Sequence, residues 1–177
     1  MYWRIEENAR DYCILVDDGN TNGSQAFLEM EEAGPVDKSK LLFRFDDERP
    51  LHISDFVPSS HPGVLFAKRE IFEAFGPIVS RSKHLFYTAK TDRGDLKIYV
   101  PMEEIKGFDF SESTFETFED GDIYRVDQLR LVDGFSTEFD IFRLNDNFGT
   151  RFHIIVSDKF KYMYESHGMT GLRFSAT

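Results

Sequence analysis

Short apolar runs of three to seven residues recur along this chain, and residues that favour turns follow them. Runs this short match the usual length of β-strands better than that of helices. Phe, Tyr and Trp make up 15% of the residues, and these side chains favour strands and bury large areas when they pack. The pattern predicts an α+β fold in one domain over residues 1–177, with mostly antiparallel sheet and a few short helices.

Ten segments fit this strand pattern. Residues 84–90 and 96–100 flank a turn-forming run, so they are expected to pair as a hairpin. Residues 128–132 alternate apolar and polar side chains, which is typical of a strand with one buried face. The predicted strands are 11–16, 41–45, 64–66, 84–90, 96–100, 123–126, 128–132, 141–144, 152–156 and 172–174.

Two segments show helical patterns instead. Residues 67–75 place apolar side chains on one face, and Gly76 and Pro77 are expected to end this helix. The second helix follows Ser157, a favoured N-cap residue, and runs to Gly168. With the strands on either side it forms a C-terminal strand–helix–strand unit. Its expected apolar stripe consists of Phe160, Met163, Tyr164 and His167.

The motifs of common catalytic sites are missing from the sequence. There is no nucleophile elbow, no phosphate-binding loop and no metalloprotease motif, so we expect a protein that is not an enzyme and has no cofactor. His52, Asp55 and His61 lie close in sequence and could form a metal or acid–base cluster, but exposed loop histidines are the favoured interpretation. His153 is expected on the wetter face of its strand. Residues 17–24 resemble a calcium loop but lack its final Glu, so no metal site is predicted.

The charge is strongly negative, at −11. This argues against nucleic acid as a partner, because binding to phosphates requires basic residues. Residues 103–122 hold eight acids and one base. This stretch is either a solvated face that keeps the protein in solution or an electrostatic lure for a basic partner, and both interpretations remain open. The candidate contacts for such a partner are Glu112, Glu116, Glu119, Asp120 and Asp122.

The N-terminal residues and the single cysteine bear on localisation. Residues 1–7 lack the basic and apolar regions of a signal peptide, and no run approaches the length of a membrane span. Cys13 has no second cysteine to pair with and is expected to be a small buried hydrophobe in its strand. We therefore expect a soluble cytoplasmic protein without membrane contact.

Several segments carry a resemblance to a known family. They are residues 155–161 and 168–174, together with the preceding strand 141–144 and the central segments 95–100 and 108–113. They are similar to the closing and central motifs of the immunity proteins numbered eleven in bacterial polymorphic-toxin systems, once catalogued as a domain of unknown function. The resemblance makes residues 62–177 the family-like core and residues 1–61 a less similar N-terminal part.

The resemblance implies a protein that is made beside a secreted toxin and neutralises it by direct binding. The implied setting is interbacterial competition, for which type VI secretion is one delivery route. Two alternatives remain open: a small enzyme that reverses the toxin's modification, and an adaptor or chaperone for an effector. The motifs are capping and packing residues, so they imply a fold and not a site, and they leave the oligomeric state undetermined.

Overall fold

The structure, a computed structural model, describes residues 1–18, 41–48, 52–79 and 84–177, without the side chains of Pro77 and Val79. In these ranges the chain forms thirteen strands, two α-helices and one 3-10 helix. The strands are β1 (Tyr2–Glu7), β2 (Leu15–Asp17), β3 (Leu42–Phe45), β4 (Phe56–Val57), β5 (Leu65–Ala67), β6 (His84–Thr91), β7 (Leu96–Pro101), β8 (Glu104–Ile105), β9 (Thr114–Thr117), β10 (Ile123–Gln128), β11 (Ile141–Leu144), β12 (Ile154–Ser157) and β13 (Leu172–Ala176). The helices are α1 (Arg69–Val79), α2 (Asp158–Ser166) and the 3-10 helix Phe148–Phe152.

The strands form three sheets. The first has the order β13-β1-β12-β11-β8, the second is the pair β10-β9, and the third has the order β2-β3-β6-β7-β5-β4. Of the ten strand pairs in the described chain, eight are antiparallel, and only β11–β8 and β3–β6 are parallel. The predicted α+β class, mostly antiparallel with few short helices, is therefore confirmed. No helix in the described ranges is long and apolar enough to cross a membrane.

The largest core cluster lies where the five-stranded and six-stranded sheets meet the two helices. Ile154 and Val156 of β12 face this core, together with Leu65 of β5. The helices contribute Phe75 and Phe160, whose ring centroids lie 4.7 Å apart. Because aromatic rings bury large areas, this contact holds α1 and α2 together.

Both sheets also bury their second faces. On the six-stranded sheet, Phe43, Phe66 and Ile98 belong to a separate core cluster. On the five-stranded sheet, Phe142 and Ile155 alternate with the residues that face the helices, and the β9–β10 hairpin covers them. The hairpin therefore lies on the side of the five-stranded sheet opposite to α1 and α2.

The N-terminal predictions were partly wrong. The residues predicted as the strand 11–16 form a strand only from Leu15, although Cys13 is fully buried as expected. No strand was predicted at residues 2–7, yet β1 lies inside the five-stranded sheet and pairs with both β12 and β13. The charged Arg4 in the middle of β1 interrupts the apolar pattern from which a central strand would be predicted. It is only 9% exposed, because its guanidinium binds backbone carbonyls of β10.

The prediction at residues 128–132 was also wrong. Their alternation is real, since Leu129 is buried and Leu131 packs against the same cluster. However, Gln128 is the last residue of β10, and residues 129–132 make only an isolated bridge, between Leu131 and Phe108. The partner of β10 is instead β9, an exposed polar strand that the pattern did not indicate.

The first helix extends further than predicted. It begins at Arg69 and continues through Gly76 and Pro77 to Val79. Gly76 is not among the glycines with positive φ, so it does not end the helix in the left-handed conformation. Ile78 is 2% exposed in the main core, and its burial accounts for the extra turn.

The C-terminal strand–helix–strand unit is confirmed. The Ser157 hydroxyl accepts a hydrogen bond from the Phe160 amide at 3.3 Å, and Gly168 has a φ of +61° after the helix. Two details differ. His167 is the exposed C-cap and not part of the apolar stripe, and β12 begins at Ile154 because the preceding residues form the 3-10 helix.

Candidate functional site

The five predicted acidic contacts lie on one element, the acidic hairpin, which we define as residues 112–128. These residues comprise β9, β10 and the segments next to them, and they carry six acids against Arg125 as the one base. Glu112 precedes β9 and Glu116 lies within it, while the other three occupy the turn between the strands. Four of the five side chains are exposed, and Asp122 is half-buried. The five acids therefore lie on one hairpin and are largely accessible to a partner.

Two large aromatic side chains stand among these acids. Phe118 is 57% exposed and Tyr124 is 51% exposed, and their ring centroids are 4.7 Å apart. Rings of this size are usually buried, and exposed pairs of them are typical of interaction surfaces. Sequence reasoning did not single out either residue. The available signal was that both interrupt an otherwise polar stretch.

The opposite face of the hairpin is anchored in the core. Ile123 and Val126 are buried, and Phe115 packs beside them against the five-stranded sheet. Because successive side chains of a strand point to opposite faces, burying Ile123 turns Tyr124 outward. The aromatic pair is thus presented by a hairpin with its own packed underside.

Asn147 fixes the tip of the hairpin. Its side-chain oxygen accepts hydrogen bonds from the amides of Ile123 at 2.8 Å and Gly149 at 3.2 Å, and its side-chain nitrogen donates to the Gly121 carbonyl at 3.3 Å. Asn147 is also the N-cap of the 3-10 helix. One side chain therefore satisfies backbone groups of both elements and holds the turn against the body of the protein.

Arg4 fixes the end of the hairpin that is opposite to its turn. Its Nη1 donates to the Val126 carbonyl at 2.9 Å, and its Nη2 donates to the Asp127 carbonyl at 3.3 Å. Glu6 pairs with the same guanidinium. Burial favours the neutral form of Glu6, but the hydrogen bonds from Arg4 and Ser175 outweigh it and lower the pKa of this carboxyl. The hairpin is thus tied to β1 through a charged side chain that is nearly buried.

The acids on the hairpin differ in what they contact. Glu116 accepts a hydrogen bond from the Tyr124 hydroxyl and forms an ion pair with Arg125 at 3.3 Å. Asp120 accepts a hydrogen bond from the Asp122 amide within the turn. In the described part of the chain, the carboxylates of Glu112, Glu119 and Asp122 have no hydrogen-bond or ion-pair partner. These three side chains keep their charge available for a binding partner.

The cluster of His52, Asp55 and His61, which the sequence analysis considered but did not favour, does not form. His61 is buried and its Nε2 lies 3.2 Å from Asp17, whereas Asp55 binds Lys68 and Thr170. His52 is exposed, as the loop interpretation predicted, but that interpretation was wrong for His61. Within the described ranges no group of three or more His, Cys, Asp or Glu side chains could hold a metal ion. Residues 19–24 of the calcium-like loop lie outside the described residues.

His153 is half-buried and lies outside β12, as the C-cap of the 3-10 helix, so its predicted place on one face of that strand was wrong. Burial, together with the nearby Arg4 guanidinium, lowers the pKa of its imidazole to about 4. The side chain is therefore neutral at physiological pH.

A second polar region borders a cavity between the two large sheets. Glu7 accepts a hydrogen bond from the Ser59 amide at 2.8 Å, and burial raises the pKa of Glu7 to about 8. The Ser59 hydroxyl lies 3.5 Å from Glu7, whereas the ring of His61 contacts Asp17. A nucleophile must lie beside its general base, but the Ser59 hydroxyl lies beside Glu7 and the His61 backbone carbonyl and not beside the His61 ring.

Comparison with known proteins does not assign this chain to a family. No protein-family model matches this chain, and no curated protein sequence matches it. The resemblance to the family-eleven immunity proteins therefore stays a prediction.

Proposed function

We propose that this protein is an immunity protein that neutralises a secreted bacterial toxin by binding to it through the acidic hairpin. The observation that carries the proposal is the exposed pair of Phe118 and Tyr124, which lies among carboxylates on a hairpin anchored by Arg4 and Asn147. The resemblance of residues 62–177 to a family of immunity proteins supports it independently.

The chemistry of the hairpin fits a basic protein surface. Aromatic side chains supply much of the energy at the centre of protein interfaces, and surrounding charges set the rate and selectivity of association. The carboxylates of Glu112, Glu119 and Asp122 have no partner within the ranges that the structure describes, so this surface attracts cations. The anchored backbone adds affinity because little conformational freedom is lost on binding.

Occlusion is the proposed mechanism. The hairpin would cover the active site or substrate path of a toxin in the cytoplasm of the producing cell. If the toxin is a nuclease, its phosphate-binding groups are basic, and the carboxylates of the hairpin would occupy the places of phosphates. No bond is made or broken in this mechanism, and the complex is stoichiometric.

The first experiment tests the partner. The product of the gene next to this one is purified as an inactive variant and mixed with this protein, and complex formation is measured by size-exclusion chromatography and calorimetry. Co-expression with the active toxin measures the protection of cells. A stable equimolar complex together with cell survival is expected. Absence of both would refute the proposal.

Variants then test the surface. Phe118→Ala is expected to weaken binding by about 2 kcal/mol, or about 30-fold in Kd, while the free energy of unfolding stays unchanged because the ring is exposed. The double variant Glu112→Lys/Glu119→Lys is expected to slow association about tenfold at low salt, and less at high salt. The matched control is Glu48→Lys/Glu70→Lys, which replaces two exposed glutamates outside the hairpin and changes the net charge equally. If both double variants slow association equally, total charge and not the hairpin steers the partner.

Stoichiometry separates the alternatives. Protection by far less than one molecule per toxin, without a stable complex, would indicate an enzyme that reverses the toxin's modification. A stable complex that leaves the toxin active would indicate an adaptor or chaperone.

A further inference from the structure

A cavity of about 180 Å³ opens between the five-stranded and six-stranded sheets, away from the acidic hairpin. Most of its walls are apolar. Glu7 at the end of β1 and His61 are the only titratable side chains in the described part of its lining. The apolar wall consists of Ile5, Pro62, Val64, Leu65, Phe152 and Ile154.

The Glu7 carboxylate has few neighbouring groups that would stabilise its negative charge. Among the described residues, only Ser59 donates hydrogen bonds to it, through the amide at 2.8 Å and the hydroxyl at 3.5 Å. In the described part of the chain no cation contacts it. An ionised carboxylate needs several strong donors or a counterion when it is removed from water. The cavity beside it offers the space where a counterion fits.

We propose that this cavity binds the ammonium end of a short alkyl chain, with Glu7 as the counterion and the apolar wall around the methylene groups. The site is separate from the acidic hairpin and does not depend on the proposed toxin. The ammonium group has two possible sources, a free alkylamine or the side chain of a lysine in another protein.

The charges around the cavity favour a cation over an anion. Burial lowers the pKa of His61 below its ordinary value, so this imidazole is neutral above pH 7, and its partner Asp17 adds a second negative charge behind it. On the far side, the Arg143 guanidinium and the backbone carbonyl of Arg151 lie near Gly63, and Glu104 pairs with the guanidinium groups of Arg143 and Arg151 at 2.9 and 3.1 Å. Neither arginine is among the groups that shift the pKa of Glu7.

The size of the cavity limits the ligand. At about 30 Å³ for each water-sized group, the space holds roughly five or six such groups. A butylammonium ion has five non-hydrogen atoms and the required apolar stem. A ligand of this size binds with a Kd of about 1 mM when its contacts are good.

Binding must depend on pH because the cation selects the ionised carboxylate. Glu7 is mostly protonated at pH 7 and mostly ionised at pH 8.5, while butylammonium keeps its charge at both values. The affinity is therefore expected to rise about eightfold from pH 7 to pH 8.5. His61 stays neutral throughout this range and does not contribute.

The experiment uses the full chain and n-butylammonium chloride as the probe, with n-butanol as the neutral molecule of the same shape. Methyl NMR signals of Ile5, Leu65 and Ile154 report occupancy, and the labelled side-chain carboxyl carbon of Glu7 reports ionisation. The expected result is saturable binding of butylammonium that is stronger at pH 8.5, with a lowered pKa of Glu7 in the complex. Glu7→Gln is expected to abolish it.

Three results would overturn the proposal: no saturation by butylammonium, equal binding of butanol, or unchanged binding by Glu7→Gln. The comparison of the two probes uses the unaltered protein, so it remains decisive even if the variant does not fold. Nα-acetyl-lysine N-methylamide separates the two sources. If this lysine derivative binds, a lysine side chain of another protein can enter the cavity. If butylammonium binds and the lysine derivative does not, the site is assigned to free alkylamines.

Discussion

Replacing Glu7 by Gln is expected to stabilise this protein at neutral and alkaline pH, although it removes a native charged side chain. Burial raises the pKa of Glu7 to about 8 in the folded protein, from 4.5 in the unfolded chain. Between these values unfolding releases a proton, so the free energy of unfolding falls as the pH rises. Gln is neutral at every pH and can still accept the hydrogen bond from the Ser59 amide.

The size of the effect follows from the shift in pKa. Each pH unit between about 4.5 and 8 is worth about 1.4 kcal/mol. The advantage of Glu7→Gln over the wild type should therefore grow by about 3.5 kcal/mol from pH 5 to pH 8. For a chain of this length that difference corresponds to roughly 10 °C in Tm.

Urea unfolding of both proteins at pH 5, 6, 7 and 8 measures this difference directly. Titration of His153 and other groups cancels, because both proteins contain them. Glu6→Gln is the matched control with the opposite sign. The folded pKa of Glu6 is lowered, so Glu6 adds stability above its unfolded pKa that is lost as the pH falls, and this variant should be less stable than the wild type at pH 7. If the free energy of unfolding changes with pH by the same amount in the wild type and in Glu7→Gln, the reasoning is refuted.

Three further predictions concern the anchors of the hairpin. The Glu7→Gln protein should lose about 2 kcal/mol of unfolding free energy between pH 7 and pH 5, because the folded His153 has a pKa of about 4 and stays neutral while the unfolded one gains a proton. Adding His153→Gln should remove this loss, and unfolding curves at the two pH values measure it. Asn147→Ala should lower the free energy of unfolding by about 1 to 2 kcal/mol and speed hydrogen exchange at the Ile123 amide, and unchanged exchange would exclude the anchor role. Gly149→Ala should destabilise by more than 2 kcal/mol, because its Cβ would overlap the Ile123 carbonyl; a thermal melt within 2 °C of the wild type would contradict this.

The C-terminal third was predictable because its signals are local. Ser157 and Gly168 mark the ends of α2 through their own backbone preferences, and the apolar runs on either side are long enough to indicate strands. The hairpin of β6 and β7 was predictable for the same reason, since a turn and two apolar runs lie next to one another in the sequence.

Other elements depend on partners that are distant in the sequence. β1 looks too polar for a central strand until Arg4 finds the carbonyls of β10, more than a hundred residues away. Gly76 and Pro77 do not end α1, because Ile78 packs in the core. The candidate site shows the same division. Charge density located the five acids, but exposure alone distinguished Phe118 from the phenylalanines of the core.

The sequence by itself determined the class of fold, the strongly negative charge, the segment that carries it and the ends of the C-terminal helix. Each of these rests on composition or on preferences of neighbouring residues, which act without the rest of the chain. Tertiary structure alone decided how the strands assemble into sheets beyond the β6–β7 hairpin, which aromatic rings face outward and which carboxylate has its pKa raised by burial. These properties arise from burial, and burial is set by contacts between segments far apart in the chain.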